Sequence, residues 1–180
     1  MIFLMRHGAD DLERFGGCSR HGLSDEEIQQ VHTAKTLFAD QGITAVYASD
    51  LERAGQTAKI ISAYLSLPVT YLPQFREANN GVLAGMLKTE ARIRYSGLCW
   101  NTLGWDEAYP DGESPHQFYD RVKNAWQTFR QQVQNDNVLP VTHGGVINVI
   151  LCLENNEQYS NRIRRYIMDH AEVYWIAYGP

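Results

Sequence analysis

The chain has 180 residues, 44% of them hydrophobic and 21% charged, which is typical of one globular domain with a sizeable core. The formal net charge of −5 excludes binding through a broad basic face, as duplex DNA or an anionic membrane requires, but not binding of a small anion in a local pocket. Three widely spaced cysteines form no disulfide framework or metal motif, and no apolar segment resembles a signal peptide or a membrane span, so we expect a cytoplasmic protein.

Short apolar runs alternate with helical patterns along the chain. The runs predict buried strands at Ile2–Met5, Ala45–Ala48, Val69–Leu72, Val138–Thr142 and Val173–Tyr178. Capping boxes predict three helix starts, at Ser24 with Glu27, at Ser49 with Glu52 and at Ser114 with Gln117, and Gly42 is expected to end the first helix. This alternation predicts a mostly parallel sheet covered on both faces, that is, a three-layer α/β/α sandwich.

Two features of the chain complicate this simple pattern. Pro140 lies inside a predicted central strand, where a missing N–H should break a ladder bond, so we expect a bulge or a later strand start. Residues 1–180 are expected to form one domain, with a short inserted lid at about 81–112, a segment rich in Gly, Trp and Tyr. Its aromatic residues either shape a substrate site or pack a small core of their own; they are Tyr95, Trp100, Trp105 and Tyr109.

Charged residues follow three of the predicted strands. Ligands of parallel sheets bind beyond the carboxyl ends of the strands, so these residues are candidates for one common site. The first strand is followed by Arg6, His7 and Gly8, the second by Ser49 with Arg53 one helical turn further on, and the fourth by His143, Gly144 and Gly145. Arginine forks suit phosphate oxygens, and glycines let the backbone approach an anion closely, so the sequence predicts an anion site that contains a nucleophile.

A histidine is a suitable nucleophile for covalent phosphoryl transfer when its second ring nitrogen is held by a hydrogen bond. Arg6, Arg53 and a protonated His143 would stabilise the charge that a metal ion stabilises in kinases, so we expect neither a metal nor another cofactor. The triplet Arg-His-Gly occurs a second time, at residues 20–22. Because only the first copy follows an apolar strand, we favour His7 over His21, which is expected near the mouth of the pocket.

Six motifs occur in order along the chain: Arg6-His7-Gly8, Leu23-Ser24, the ten residues from Ser49 to Ala58, the segment from Glu77 to Gly85, Gly112-Glu113-Ser114, and Val141-Thr142-His143-Gly144-Gly145. In these motifs the chain resembles the histidine phosphatase superfamily, in its phosphoglycerate-mutase-like branch, over nearly its whole length. The resemblance implies the fold of that branch and a small phosphorylated substrate, and it leaves a homodimer open. It also implies His7 as the phosphate acceptor, Arg6, Arg53 and His143 as phosphate ligands with Gly144 beside them, and Glu77 as the proton donor.

The proton donor is open to an alternative. Asp10, Asp11 and Glu13 closely follow the first motif and could substitute for Glu77, which we favour. The same loop departs from the family pattern, because Ala9 stands where many relatives have Glu, and Glu13 stands where they have an Asn that contributes to phosphate binding. A carboxylate at that position would repel phosphate.

Within the resemblance, a phosphomonoesterase is favoured. Mutases of this branch tend to be longer, with an adjacent Arg-Arg pair in the inserted segment and an Asn after the second His-Gly. Here Arg92 and Arg94 are not adjacent, and Gly145 occupies the Asn position. A phosphoglycerate mutase and a non-catalytic phosphate- or phosphoprotein-binding module on the same fold remain alternatives.

The remaining polar residues are interpreted as structural. His32, His116 and His170 are expected to be structural or surface histidines. Arg162, Arg164 and Arg165 are interpreted as a solvated helix face. Glu113 and Ser114 are interpreted mainly as a helix start.

Overall fold

A central five-stranded sheet organises the molecule. The computed structural model describes residues 1–8, 11 and 13–178 of the chain. The strands are β1 (Ile2–Arg6), β2 (Ala45–Ala48), β3 (Val69–Tyr71), β4 (Val138–Thr142) and β5 (Val173–Ile176). The helices are α1 (Asp25–Ala34), α2 (Glu52–Leu65), α3 (Lys88–Arg94), α4 (Pro115–Gln132) and α5 (Gly144–Glu154), with 3₁₀ turns at Lys35–Phe38, Pro73–Phe75 and Gly81–Leu83.

The strand order in the sheet is β3-β2-β4-β1-β5. β4 pairs in parallel with both β1 and β2, and β2 pairs in parallel with β3, whereas β5 runs antiparallel to β1. The predicted α/β class and mostly parallel sheet are therefore confirmed. None of the helices in the described ranges is long and apolar enough to cross a membrane.

Helices cover both faces of the sheet, because the side chains of its central strands alternate between two cores. In β1, Phe3 and Met5 pack with residues of α1 and α2, whereas Ile2 and Leu4 pack with residues of α4 and α5. Every residue of β4 is buried, as expected for a central strand with a helix layer on each side.

Pro140 lies within β4 without displacing it. The strand begins at Val138 as the apolar run predicted, and its pairs with β1, from Ile2 with Val138 to Arg6 with Thr142, all share one register. The expected bulge or later start is therefore wrong. A proline only removes one donor, and the unchanged register shows that the pairing on either side of it is sufficient.

The helix starts agree with the sequence in two of three cases. The capping boxes of Ser24 with Glu27 and of Ser114 with Gln117 are both formed. The box at Ser49 is wrong, because α2 begins at Glu52 with Leu51 as its N-cap, and no side chain caps it. The expected end of the first helix at Gly42 is also wrong, because α1 ends at Ala34. A 3₁₀ turn at Lys35–Phe38 follows it.

Residues 81–112 carry a small apolar cluster of their own. Its buried members are Leu83, Ala91, Leu103 and Tyr109, and Tyr95 and Trp100 pack against it. The sequence leaves two roles open for these aromatic residues, packing a small core and shaping a substrate site. The two roles are not exclusive, because Trp100 and Tyr109 also line a cavity described below. Whether the segment opens and closes as a lid remains a prediction.

A partly buried ion pair holds the loop that precedes this segment. The Arg121 guanidinium of α4 donates to the carbonyl oxygens of Gln74 and Arg76, at 2.8 and 3.0 Å, and to that of Glu77 at 3.4 Å. The same guanidinium donates to the Glu113 carboxylate at 2.6 Å. One arginine thus binds three backbone carbonyls in the four residues that end at Glu77.

Glu113 extends this clamp. Its carboxylate accepts from the backbone N–H of Asn79 at 2.7 Å, and its own N–H donates to the Asn79 carbonyl at 2.9 Å. The interpretation of Glu113 as mainly a helix start is therefore incomplete. Its side chain fixes the chain on the far side of Glu77, whereas Arg121 fixes the near side.

We expect Arg121→Met to lower the free energy of unfolding by about 2–3 kcal/mol, because several charge-assisted hydrogen bonds are lost and Glu113 keeps an uncompensated charge. The matched control is Arg94→Met, which breaks an exposed pair with Glu90 on α3 and should change stability very little. Urea denaturation of both variants measures the difference. Equal losses in the two variants would show that the clamp contributes nothing beyond a surface ion pair.

Candidate active site

Three neighbouring strands end at one edge of the sheet. β4 lies between β1 and β2, and all three are parallel, so their carboxyl ends are adjacent. The side chains of His7, Ser49 and His143 are buried at this edge. The rings of His7 and His143 lie 4.8 Å apart between centroids.

His7 is held in one tautomer and orientation. Its Nδ1 contacts the carbonyl oxygen of Gly8, which can only accept, so Nδ1 carries the proton and Nε2 the lone pair. The Arg53 Nε donates to this Nε2 at 3.1 Å. The N–H of Gly8 donates to Thr57 Oγ1 at 3.1 Å, which fixes the turn after the histidine.

Arg53 is almost completely buried, at 2% relative exposure. Besides His7, its guanidinium donates to the carbonyl of Gly17 at 2.7 Å and reaches Ser19 at 3.4 Å. Arg6 donates to the carbonyl of Met168 at 2.5 Å and contacts His170 Nε2 at 2.6 Å. Backbone carbonyls therefore orient both guanidiniums in these contacts.

The Ser49 hydroxyl contacts His143 and does not cap a helix. Its hydroxyl lies 2.8 Å from His143 Nε2 and accepts from the Leu51 N–H at 3.3 Å. His143 Nδ1 is buried and has no hydrogen-bond partner among the residues that the structure describes.

Burial and positive charge keep both histidines neutral. Burial, followed by the charge of Arg53, lowers the pKa of His7 well below its usual value. The same causes, with the neighbouring His7, lower the pKa of His143 well below its usual value. The protonated His143 expected from the sequence refers to the phosphate-bound protein and stays a prediction.

Glu77 lies where the Arg121 clamp holds the chain. Its Oε2 accepts from the N–H of Gly145 at 2.9 Å, at the first turn of α5, and its Oε1 accepts from Ala78 at 3.0 Å. A Cβ at position 145 would come within 2.3 Å of Glu77 Oε1, so the glycine allows this close approach. The Cys18 thiol donates to the Glu77 carbonyl at 3.3 Å, and burial raises the pKa of that thiol, so it is not an activated nucleophile.

These groups surround one cavity of about 210 Å³, which we call the phosphate cavity. Its lining includes Arg6, His7, Arg53, Glu77, Gly144 and His170. The structure thus brings five of the six predicted site residues to the lining of one cavity, whereas His143 is fully buried beside His7 and is not among the lining residues.

The sequence interpretation is incomplete for two residues at this site. His170, interpreted as structural or at the surface, lines the phosphate cavity, and its ring centroid lies 5.8 Å from that of His7. Arg164 is exposed, as its interpretation on a solvated helix face implies, but residues 161–165 are not helical, and its guanidinium contacts Gly144. His170 lies just before β5, and β5 runs antiparallel to β1, so His170 lies at the edge where β1 ends. A prediction of this strand direction would have placed His170 at the site.

The acidic residues considered as alternative proton donors lie in different places. Asp11 lines the phosphate cavity and pairs with Arg14 at 3.1 Å, whereas Glu13 is exposed and is not part of the described lining. The expected repulsion between Glu13 and phosphate is therefore not supported. Ala9 and Asp10 lie outside the described residues. His21 packs against Gly85, outside the described lining of the phosphate cavity.

In the ranges that the structure describes, no group of three His, Cys, Asp or Glu side chains is arranged to hold a metal ion. Independence from metal ions and cofactors nevertheless stays a prediction.

We expect His7 and His143 to remain neutral at about pH 6.5, where an ordinary histidine is half protonated. His116 provides an internal contrast, because its hydrogen bond with Asp106 raises its pKa, so it should be mostly protonated at the same pH. Nitrogen chemical shifts of the imidazole rings, assigned with single His→Ala variants, report each state. A site histidine that is half protonated or more at about pH 6.5 would contradict the neutral assignment.

The chain is similar to known proteins over nearly its whole length. The family model described as the histidine phosphatase superfamily (branch 1) matches residues 2–180. A probable phosphoglycerate mutase, GpmB, of Erwinia tasmaniensis is 30% identical over 197 residues, which cover 99% of this chain and 88% of the relative.

Solved structures show the same fold. YhfR of Bacillus stearothermophilus superposes with a TM-score of 0.84 at 22% identity, covering 96% of this chain and 88% of that one. The alpha-ribazole phosphatase of Shigella flexneri has a TM-score of 0.77 at 25% identity, covering 87% and 80%. The resemblance seen in the six motifs is confirmed, and the chain belongs to the histidine phosphatase superfamily, branch 1.

Proposed function

We propose that this protein is a phosphomonoesterase that hydrolyses a small phosphorylated metabolite through a covalent phosphohistidine on His7. The observation that carries the proposal is the hydrogen bond of His7 Nδ1 to the Gly8 carbonyl, which leaves the Nε2 lone pair beside two arginines in the phosphate cavity. A neutral imidazole in that tautomer is the form that attacks phosphorus.

The first half of the reaction transfers the phosphoryl group to the enzyme. His7 Nε2 forms a bond to phosphorus, and the bond between phosphorus and the ester oxygen breaks. The protonated Glu77 carboxyl gives its proton to that oxygen, so the product leaves as a neutral alcohol. Arg53 Nε, which donates to Nε2 in the structure, transfers its hydrogen bond to a phosphoryl oxygen when the nucleophile is used.

The second half regenerates the enzyme. The Glu77 carboxylate takes a proton from a water molecule, whose oxygen attacks phosphorus as the bond to His7 Nε2 breaks. The contacts of Glu77 with two backbone N–H groups suit this role, because they orient the carboxylate at the entrance of α5. Inorganic phosphate and the neutral His7 imidazole are the products.

Positive charge replaces a metal ion in this scheme. Arg6 and Arg53 contact the phosphoryl oxygens, and the N–H of Gly144 lies at the N-terminus of α5, where anions are favoured. A bound phosphate dianion raises the pKa of His143, whose unpartnered Nδ1 then serves as a further donor. Mg²⁺ is therefore not required in the proposed mechanism.

One observation favours hydrolysis over a mutase reaction. A mutase must hold the carboxylate of phosphoglycerate, for which an arginine pair on α3 would be the expected ligand. Arg92 and Arg94 are exposed, Arg94 pairs with Glu90, and neither contributes to the described lining of the phosphate cavity. The named relatives support either activity, so interconversion of 2- and 3-phosphoglycerate is the direct assay for the alternative.

We expect His7→Ala to reduce hydrolysis of para-nitrophenyl phosphate at least about a thousandfold, measured with EDTA present, because the covalent route is lost. The matched control is His21→Ala, in the second Arg-His-Gly triplet, which should retain activity. Acid quenching with a radiolabelled phosphate ester should trap acid-labile label on the wild type only. Equal turnover in wild type and His7→Ala would identify the protein as a non-catalytic phosphate-binding module.

We expect the loss of kcat/KM in Glu77→Gln to depend on the leaving group of the ester. For ethyl phosphate, whose alkoxide needs a proton, kcat/KM should fall by about 10²–10⁴-fold, and much less for para-nitrophenyl phosphate, whose phenolate leaves unaided. Asp10→Asn, Asp11→Asn and Glu13→Gln are the comparison variants. If one of these shows the pattern and Glu77→Gln does not, the proton donor is assigned to the wrong residue while His7 keeps its role.

A further inference from the structure

A second cavity adjoins the phosphate cavity. Its volume is about 260 Å³, and both cavities share Phe15, Gly16, Gly17 and Glu77 as lining residues. A phosphate ester bound at His7 therefore has its ester oxygen at Glu77 and its leaving group directed into this second space. We call it the aromatic cavity, because its lining includes Phe15, Trp100, Tyr109, Phe118 and Tyr159.

The aromatic walls are fixed by packing. Trp100 stacks on Tyr109 with centroids 6.0 Å apart and an interplanar angle of 20°, and it meets Phe118 edge-on at 5.5 Å. Phe118 and Tyr109 are buried, at 1% and 4% relative exposure. Rigid aromatic walls favour a flat apolar group, whereas a glycerate would lose water without gaining equivalent hydrogen bonds from them.

One arginine, Arg164, belongs to the lining of the aromatic cavity. Its guanidinium contacts Gly144, a lining residue of the phosphate cavity, and an ideal Cβ on that glycine would lie 1.9 Å from Arg164 Nη2 and 3.4 Å from Arg6 Nε. The Arg164 charge therefore lies where the two cavities adjoin, which is the phosphoryl end of a bound ester.

Three asparagines line the aromatic cavity, and one has an unused polar atom. Asn148 Oδ1 accepts from two backbone N–H groups, and Asn161 Nδ2 donates to two carbonyls, so both have structural partners. Asn80 is 6% exposed, and its buried Oδ1 has no hydrogen-bond partner in the described part of the chain. A buried acceptor of this kind requires a donor, and the cavity is where a ligand can supply it.

Asn80 is held close to the phosphate cavity. Gly17, a lining residue of both cavities, has φ +53°, and a Cβ there would lie 2.0 Å from Asn80 Oδ1. Only glycine leaves room for this amide. Asn80 is therefore placed to accept a hydrogen bond from the part of the leaving group that lies next to Glu77.

We propose that the leaving group is a planar aromatic or heteroaromatic ring system, carried on an alcohol, with an N–H or O–H that donates to Asn80. The inference rests on the proposed function and names its substrate class. The size agrees, because a cavity of roughly 150 Å³ accommodates benzene, and the aromatic cavity is larger. The chemistry is unchanged: the ring-bearing alcohol leaves with the proton from Glu77.

Four esters of primary alcohols test the proposal, because their leaving oxygens are chemically alike: indolylethyl, naphthylethyl and ethyl phosphate, and 3-phosphoglycerate. We expect kcat/KM for indolylethyl phosphate to exceed that for ethyl phosphate on the order of 10- to 100-fold, the value of burying an aromatic group. Naphthylethyl phosphate, which has no N–H, should lie between them, and 3-phosphoglycerate should be hydrolysed least.

Variants of the cavity should change ratios of kcat/KM between esters. Trp100→Ala should reduce the preference for aromatic over ethyl ester. Ser160→Phe should do the same by filling the cavity, without removing a core side chain. Asn80→Leu should abolish only the preference of indolyl over naphthyl ester. The control is Trp175→Ala, on the exposed face of β5, which should leave every ratio unchanged.

The failures of the two proposals are distinguishable. If ethyl phosphate or 3-phosphoglycerate is hydrolysed as well as the aromatic esters, and His7→Ala abolishes this, the proposed function stands and the substrate class is wrong. If no ester is hydrolysed, the proposed function is wrong. Calorimetric titration with indole-3-ethanol then tests whether the aromatic cavity binds an aromatic ring. Binding that is lost in Trp100→Ala supports the aromatic assignment, and no binding to the wild type overturns it.

Discussion

The parallel pairing of β4 with β1 on one side and β2 on the other decides where the candidate catalytic groups lie. A parallel pair places both carboxyl ends at one edge, so three strands deliver their following residues to one place. Burial of β4 between two helix layers makes this arrangement rigid, since any shift in register would move apolar side chains out of both cores. The unchanged register around Pro140 shows how strongly the core specifies it.

Positive charge is concentrated at the candidate site. The contacts of Arg53 and Arg6 described above are to backbone carbonyls and histidine nitrogens, which orient the guanidiniums. Their charge keeps His7 and His143 neutral, because a further cation in the same buried space is unfavourable. In the proposed function this local positive charge would stabilise a bound phosphate dianion, although the net charge of the whole protein is −5.

Glu77 connects the chemistry to the choice of substrate. The Arg121–Glu113 pair holds the backbone on either side of it, and the first turn of α5 holds its carboxylate. It therefore stands at the boundary between the phosphate cavity and the aromatic cavity. In the proposed function the phosphoryl group lies on one side of this residue and the leaving group on the other, in a cavity to which the segment 81–112 contributes Trp100 and Tyr109.

The sequence by itself determined the apolar strand runs, two of the three helix caps, and the residues that follow the parallel strands. These features depend on periodicity and on groups a few residues apart, so local patterns are sufficient. Ser49 shows the limit, because its pattern is that of a cap, yet its hydroxyl bonds His143, 94 residues away. Only the tertiary structure decided such partners. It also decided that β5 is antiparallel to β1, and therefore that His170, at the beginning of β5, reaches the same edge as the ends of the parallel strands.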